Sequence, residues 1–115
     1  MSGWTSLGPV AGRAELSAVF VDGVEIAVAL LDDGAWAAFD NACTHEECPL
    51  ADGELEGDRI VCYCHSSVFD TRTGEVLEGP AEEALRVYET RVQGDELEVW
   101  VDGALIERIA GEKKP

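Results

Sequence analysis

Apolar and polar positions alternate with a period of two through most of this chain, and no stretch sustains the 3.6-residue period of an amphipathic helix. Ser17 to Val21 and Val24 to Leu31 are β-rich runs separated by Asp22-Gly23, a pair that suits a tight hairpin turn. Asp32-Asp33-Gly34 supplies the next reversal, ahead of a third strand from Ala35 to Asp40 that carries Trp36 and Phe39. Before them, Trp4 to Leu7 predicts a short first strand, interrupted by Gly8-Pro9 and Gly12. Towards the other end, Leu85 to Val92 and Glu96 to Val101 predict a hairpin about Gly94-Asp95. Ala81 to Leu85 has the spacing of one helical turn, and Ala104 to Ala110 of a short strand or a helical turn. The final Gly-Glu-Lys-Lys-Pro is expected to fray.

The pattern changes between Asn41 and Pro80. Turn formers at Pro49, Asp52-Gly53, Gly57-Asp58, Thr73-Gly74 and Gly79-Pro80 leave room only for short strands at Arg59 to Cys62, Val68 to Thr71 and Glu75 to Leu77. The chain is therefore expected to be all-β, a single domain over 1–115 built as an antiparallel sandwich or barrel. A loop-rich subdomain over 41–80 would be inserted in a basal β domain made of 1–40 and 81–110.

A length of 115 residues allows a modest core that needs no disulfides to fold. A formal charge of −16 argues against nucleic-acid binding, which needs cationic side chains to replace phosphate counterions. It favours solubility and steering toward basic partners. No apolar run approaches bilayer length, and the first residues have neither a basic start nor an apolar core, so a cytoplasmic protein without membrane contact is expected. In that setting four Cys point to metal or redox chemistry sooner than to a disulfide framework.

All four Cys and both His lie in the inserted segment, as Cys43-Thr44-His45 and, after sixteen intervening residues that include Cys48, Cys62-Tyr63-Cys64-His65. Each loop offers one thiolate and one imidazole to a shared centre. Zinc accepts such ligands, although structural zinc sites favour paired Cys knuckles or a paired His. An iron–sulfur cluster with two Cys on one iron and two His on the other uses the pattern directly. No pairing of Asp or Glu suggests acid–base catalysis.

On these residues the chain resembles the Rieske [2Fe–2S] family, whose signature is C-x-H followed by C-x-x-H. Phe39-Asp40-Asn41, Asp52-Gly53, Gly57-Asp58, Phe69-Asp70 and Thr73-Gly74 extend the likeness over the motif region. The resemblance implies a Rieske-type fold and a [2Fe–2S] cluster, with Cys43 and Cys62 on the inner iron and His45 and His65 on the outer one. With every ligand position filled, it implies one-electron transfer in place of catalysis, and no small-molecule substrate. Gly79-Pro80 would be the proline loop covering the cluster, and Pro49 an apolar contact beside it.

The same resemblance bears on Cys48 and Cys64. In Rieske proteins of cytochrome bc complexes, cysteines at these positions form a disulfide; ferredoxins of ring-hydroxylating dioxygenases usually lack them. A Cys48–Cys64 bond is expected. Ser67 matches the serine that donates to a bridging sulfide in high-potential members, while Phe69 replaces their tyrosine, which implies an intermediate potential. Glu46 and Glu47, following a ligand, would form a docking patch for a basic partner.

A membrane-complex subunit would need an anchor, an oxygenase a second domain, and a reductase a nucleotide fingerprint. The likeness is thus greatest to the ferredoxin component of bacterial aromatic-ring-hydroxylating dioxygenases. It implies a carrier between a flavin-containing reductase and a terminal oxygenase. A Rieske subunit of another redox enzyme is the nearer alternative, and a zinc-stabilised non-redox module the more distant one. Trp4, Trp36 and Trp100 read as core or sheet-face aromatics.

Overall fold

The structure, a computed structural model, describes residues 3–44, 48–64 and 66–101. His45, Glu46, Glu47, His65 and the expected element at 104–110 lie outside the described residues. Eleven strands are described: β1 (Gly3–Pro9), β2 (Leu16–Val21), β3 (Val24–Leu30), β4 (Trp36–Asp40), β5 (Glu54–Glu56), β6 (Arg59–Val61), β7 (Val68–Asp70), β8 (Val76–Glu78), β9 (Val87–Tyr88), β10 (Thr90–Gln93) and β11 (Glu96–Val101). They form three antiparallel sheets with orders β1-β11-β10, β2-β3-β4-β9 and β5-β6-β7-β8. The all-β sandwich class is as expected. Among the described residues no helix is long and apolar enough to cross a membrane.

The middle sheet organises the molecule because β3 is buried on both faces. Ile26 and Val28 pack with Val21, Ala38, Tyr88, Leu97 and Val99, towards the first sheet. Ala27 and Ala29, offset by one residue, face the other way with Phe39, Leu50, Ile60 and Phe69. A two-residue period sends alternate side chains to opposite faces, so one apolar run serves two cores. Small residues lie on the face toward the inserted segment and branched ones on the face toward the basal sheet.

The turns follow from local chemistry. Asp22 and Gly23 have φ of 52° and 84°, the left-handed pair that a type I′ hairpin requires. The resulting register runs from Val21↔Val24 to Leu16↔Ala29. Across the sheets, Arg72 binds Asp33 at 2.7 Å and Asp58 at 2.9 Å, linking the β3–β4 turn to the β5–β6 turn. Trp4 and Trp100 meet edge to face at 5.5 Å with Arg91 over the Trp4 ring, so these aromatics lie on a sheet face.

Three expectations need correction. The run from Leu85 to Val92 is two strands: β9 pairs with β4, and β10 with β11. Glu89 lies between them, and its carbonyl accepts from the Trp100 N–H while Thr90 Oγ1 donates to the Trp36 carbonyl, so the chain passes from one sheet to the next. Ala81 to Leu85 is not a helical turn. Its backbone is engaged elsewhere, with the Ala81 N–H on Ser67 Oγ and the Leu85 N–H on the Gly74 carbonyl. Third, β5 had no sequence signal, since Leu55 is the only apolar residue among its three.

Candidate functional site

Two loops approach each other at the end of the third sheet. The first, 41–50, is closed at its base by an Ala42↔Pro49 bridge and by the Cys43 N–H donating to the Cys48 carbonyl at 2.9 Å. Asn41 holds the far side: its carbonyl accepts from the Leu50 N–H and its side chain Oδ1 from the Ala51 N–H at 2.7 Å. Pro49 starts the 3₁₀ turn Leu50–Asp52, which drives Leu50 into the core and anchors the loop from below.

The second loop leaves β6 at Cys62 and returns into β7. The Cys62 N–H donates to the Ser67 carbonyl at 2.8 Å, and the Ser66 N–H to the Cys62 carbonyl at 2.9 Å. Ser66 lies at φ 63°, a conformation that costs a non-glycine residue energy and lets the chain reverse within four residues. Tyr63, at the tip, is 57% exposed.

The four cysteines fall into two kinds. Cys48 and Cys64 are joined in a disulfide with their Cα atoms 6.5 Å apart, and it ties the two loops together. Cys43 and Cys62 lie outside that bond, each only 1% exposed, in the cluster that contains Phe39, Leu50, Ile60 and Phe69. The Cys62 sulfur lies within 4.8 Å of both disulfide sulfurs. Two buried thiols at the bases of bridged loops fit a sulfur-ligated iron centre. The apolar wall keeps water from the sulfurs, and the disulfide limits how far the loops can part.

A third segment completes the surround. Ser67 is fully buried, and its Oγ accepts from the Ala81 N–H at 3.0 Å. That bond ties the second loop to the Gly79-Pro80 segment, where Pro80 is exposed. A hydroxyl that accepts through oxygen still has its own proton to donate. Thr44 Oγ1 donates to the Glu83 carbonyl at 2.6 Å, which joins the first loop to the same segment. Sequence reasoning did not identify Ala81, Thr44 or Glu83, because contacts across fourteen and thirty-nine residues leave no local signal.

Beneath the loops, Tyr88 Oη donates to Asp40 Oδ1 at 2.7 Å. Burial first, and then the adjacent carboxylate, raise the phenol well above its ordinary range. The bond fixes the end of β4, from which the first loop departs.

Comparison with known proteins places this geometry. The sequence profile of the Rieske [2Fe-2S] domain matches residues 7–89. The ferredoxin component of the naphthalene 1,2-dioxygenase system of Pseudomonas putida is 33% identical over 90 residues, covering 78% of this chain and 84% of that protein. The ferredoxin of Sphingomonas yanoikuyae B1 superposes with a TM-score of 0.79 at 27% identity, over 87% of this chain and all of that one. A ferredoxin–oxygenase complex of carbazole 1,9a-dioxygenase contains a chain that superposes at 0.76 with 28% identity, over 83% of this chain and 99% of that one.

Proposed function

This chain belongs to the Rieske [2Fe-2S] domain family, and from that premise we propose that it carries single electrons to the terminal oxygenase of an aromatic-ring-hydroxylating dioxygenase system. The electrons would come from a flavin-containing reductase, in the cytoplasm. The observation that carries the reading is the pair of buried thiols, Cys43 and Cys62, beneath two loops joined by Cys48–Cys64.

The ligand set we propose is Cys43 and Cys62 on the inner iron with His45 and His65 on the outer. When bound, the cluster supplies a one-electron couple, in this family at roughly −150 to +300 mV. Around it the chain's own groups do three things. The apolar wall of Phe39, Leu50, Ile60 and Phe69 excludes water from the thiolate side. Cys48–Cys64 holds the loops in register, with exposed Pro49 and Pro80 as flanking apolar contacts. Ser67, its oxygen satisfied by Ala81, offers a proton to sulfur and so favours the reduced state. No side chain is called on to move a proton, and the role is electron transfer without catalysis.

A second reading is favoured by the disulfide itself: a Rieske subunit of another redox enzyme, which would co-purify with its complex. The experiment is metal and acid-labile sulfide analysis with EPR of the dithionite-reduced protein. Two irons, two sulfides and a low-average-g signal are expected, with reoxidation by an aromatic-ring oxygenase under single-turnover conditions. Zinc without sulfide would reject the assignment. A cluster that no such oxygenase reoxidises would favour the second reading.

A further inference from the structure

We propose that Cys62 and the Cys48–Cys64 bond form an internal thiol–disulfide exchange site, held silent by the cluster and released when the cluster is lost. The proposal deepens the reading above and rests on Cys62 being a cluster ligand. Three sulfurs lie within 4.8 Å of one another, one a thiol and two a disulfide. Exchange proceeds by attack of a thiolate on a disulfide sulfur, so nucleophile and electrophile are already adjacent. A nucleophile held in place acts at a far higher effective concentration than one in solution. Cys62 is 1% exposed, which shields it from outside thiols but not from this neighbour.

The step balances without oxidant or reductant. The Cys62 thiolate attacks Cys48 Sγ, a Cys48–Cys62 bond forms, the Cys48–Cys64 bond breaks, and Cys64 leaves as thiolate. Attack on Cys48 keeps a bond between the two loops, whereas attack on Cys64 would close a ring across Tyr63 alone. The reverse attack by Cys64 restores the starting pair. Iron on Cys62 withdraws the nucleophile, so cluster occupancy selects the Cys48–Cys64 isomer. Conversely, the exchanged isomer has lost a ligand and cannot accept a cluster until it reverts. The identity of the disulfide thereby records whether the site is loaded.

The test begins with the purified, cluster-bearing chain, whose iron and acid-labile sulfide are measured first. One portion is stripped anaerobically with an iron chelator, desalted to remove released sulfide, and held without added thiol. Loaded and stripped portions are then quenched in acid denaturant, alkylated with N-ethylmaleimide and mapped by peptide mass spectrometry. The loaded protein should carry label on Cys43 and Cys62. In the stripped protein label should appear on Cys64 and fall on Cys62 by the same amount, with Cys43 still fully labelled. A Cys48→Ser/Cys64→Ser double variant should keep Cys62 fully labelled when stripped. An unchanged pattern after stripping overturns the proposal, as does scrambling that includes Cys43, or four labelled cysteines in the loaded protein. A purified chain without acid-labile sulfide overturns the cluster reading and this proposal together; sulfide with an unchanged pattern overturns this proposal alone.

Discussion

The Ser67 hydroxyl makes one bond and is proposed to make a second, and the two can be separated. Its oxygen accepts from the Ala81 N–H, and its proton is the group proposed to meet a cluster sulfur. Ser67→Ala leaves a buried N–H unpaired, at a cost of about 1–3 kcal/mol in chemical denaturation. If the proton does donate to sulfur, the midpoint potential should also fall by about 20–60 mV, a net hydrogen bond of ordinary strength converted at 59 mV per tenfold. Lost stability with an unmoved midpoint would leave Ser67 as a tie between loops and nothing more. Tyr88 gives a second case. Its pKa is raised by burial and by Asp40, so above about pH 10 the unfolded chain releases a proton that the folded chain retains. Stability from this group is therefore complete below that pH and declines above it. Tyr88→Phe should be less stable at neutral pH by about 1.5–3 kcal/mol and should lose less on going to alkaline pH, as urea titrations at pH 7 and pH 11 would show. Equal alkaline slopes for both proteins would remove Tyr88 as the source.

Between elements, one of the two tightest glycine joins among the described residues is made by Gly74. A Cβ on Gly74, at φ 82°, would lie 2.1 Å from the Leu85 carbonyl oxygen, and the Leu85 N–H donates to the Gly74 carbonyl. Gly74→Ala combines left-handed strain with a backbone clash, and about 2–5 kcal/mol of destabilisation is expected. Gly94→Asn, in a similar φ with open space around it, should be nearly neutral. Equal urea midpoints for the two variants would mean that the 74–85 join does not hold the segment in place. This scale also marks where sequence was readable. Hairpins with local turn chemistry, such as Asp22-Gly23, were legible because two residues determine their geometry. The division of Leu85 to Val92 at Glu89 was not, because each half follows a partner far away in the chain, β4 or β11. The spacing of Ala81 and Leu85 suggested a helix, but both backbones answer to other segments.

For the whole molecule, the centre was legible in part because so few residues define it. Two Cys–His loops concentrate every cysteine and histidine of the chain, and that pattern carried the family. The pairing of Cys48 with Cys64 came from resemblance, since positions in sequence say nothing about which sulfurs meet. The acidic excess was equally visible, but its distribution was not. Glu46 and Glu47 lie outside the described residues, whereas Glu82 and Glu83 are exposed on a segment that Thr44 ties to the first loop. With a net charge of −16, encounter with a basic partner surface should be steered over distances comparable to the Debye length, about 10 Å at 0.1 M salt. The second-order rate of electron delivery to the oxygenase, followed by stopped-flow absorbance, should fall about tenfold or more between 20 and 300 mM salt. Reversing Glu82 and Glu83 to Lys should slow it further than reversing Asp95 and Glu96, which lie at the β10–β11 turn of the first sheet. The two reversals change net charge equally, so a difference between them reports local docking and not overall field. Equal slowing would assign the effect to net charge alone, and a rate indifferent to salt would reduce the acidity to a means of staying in solution.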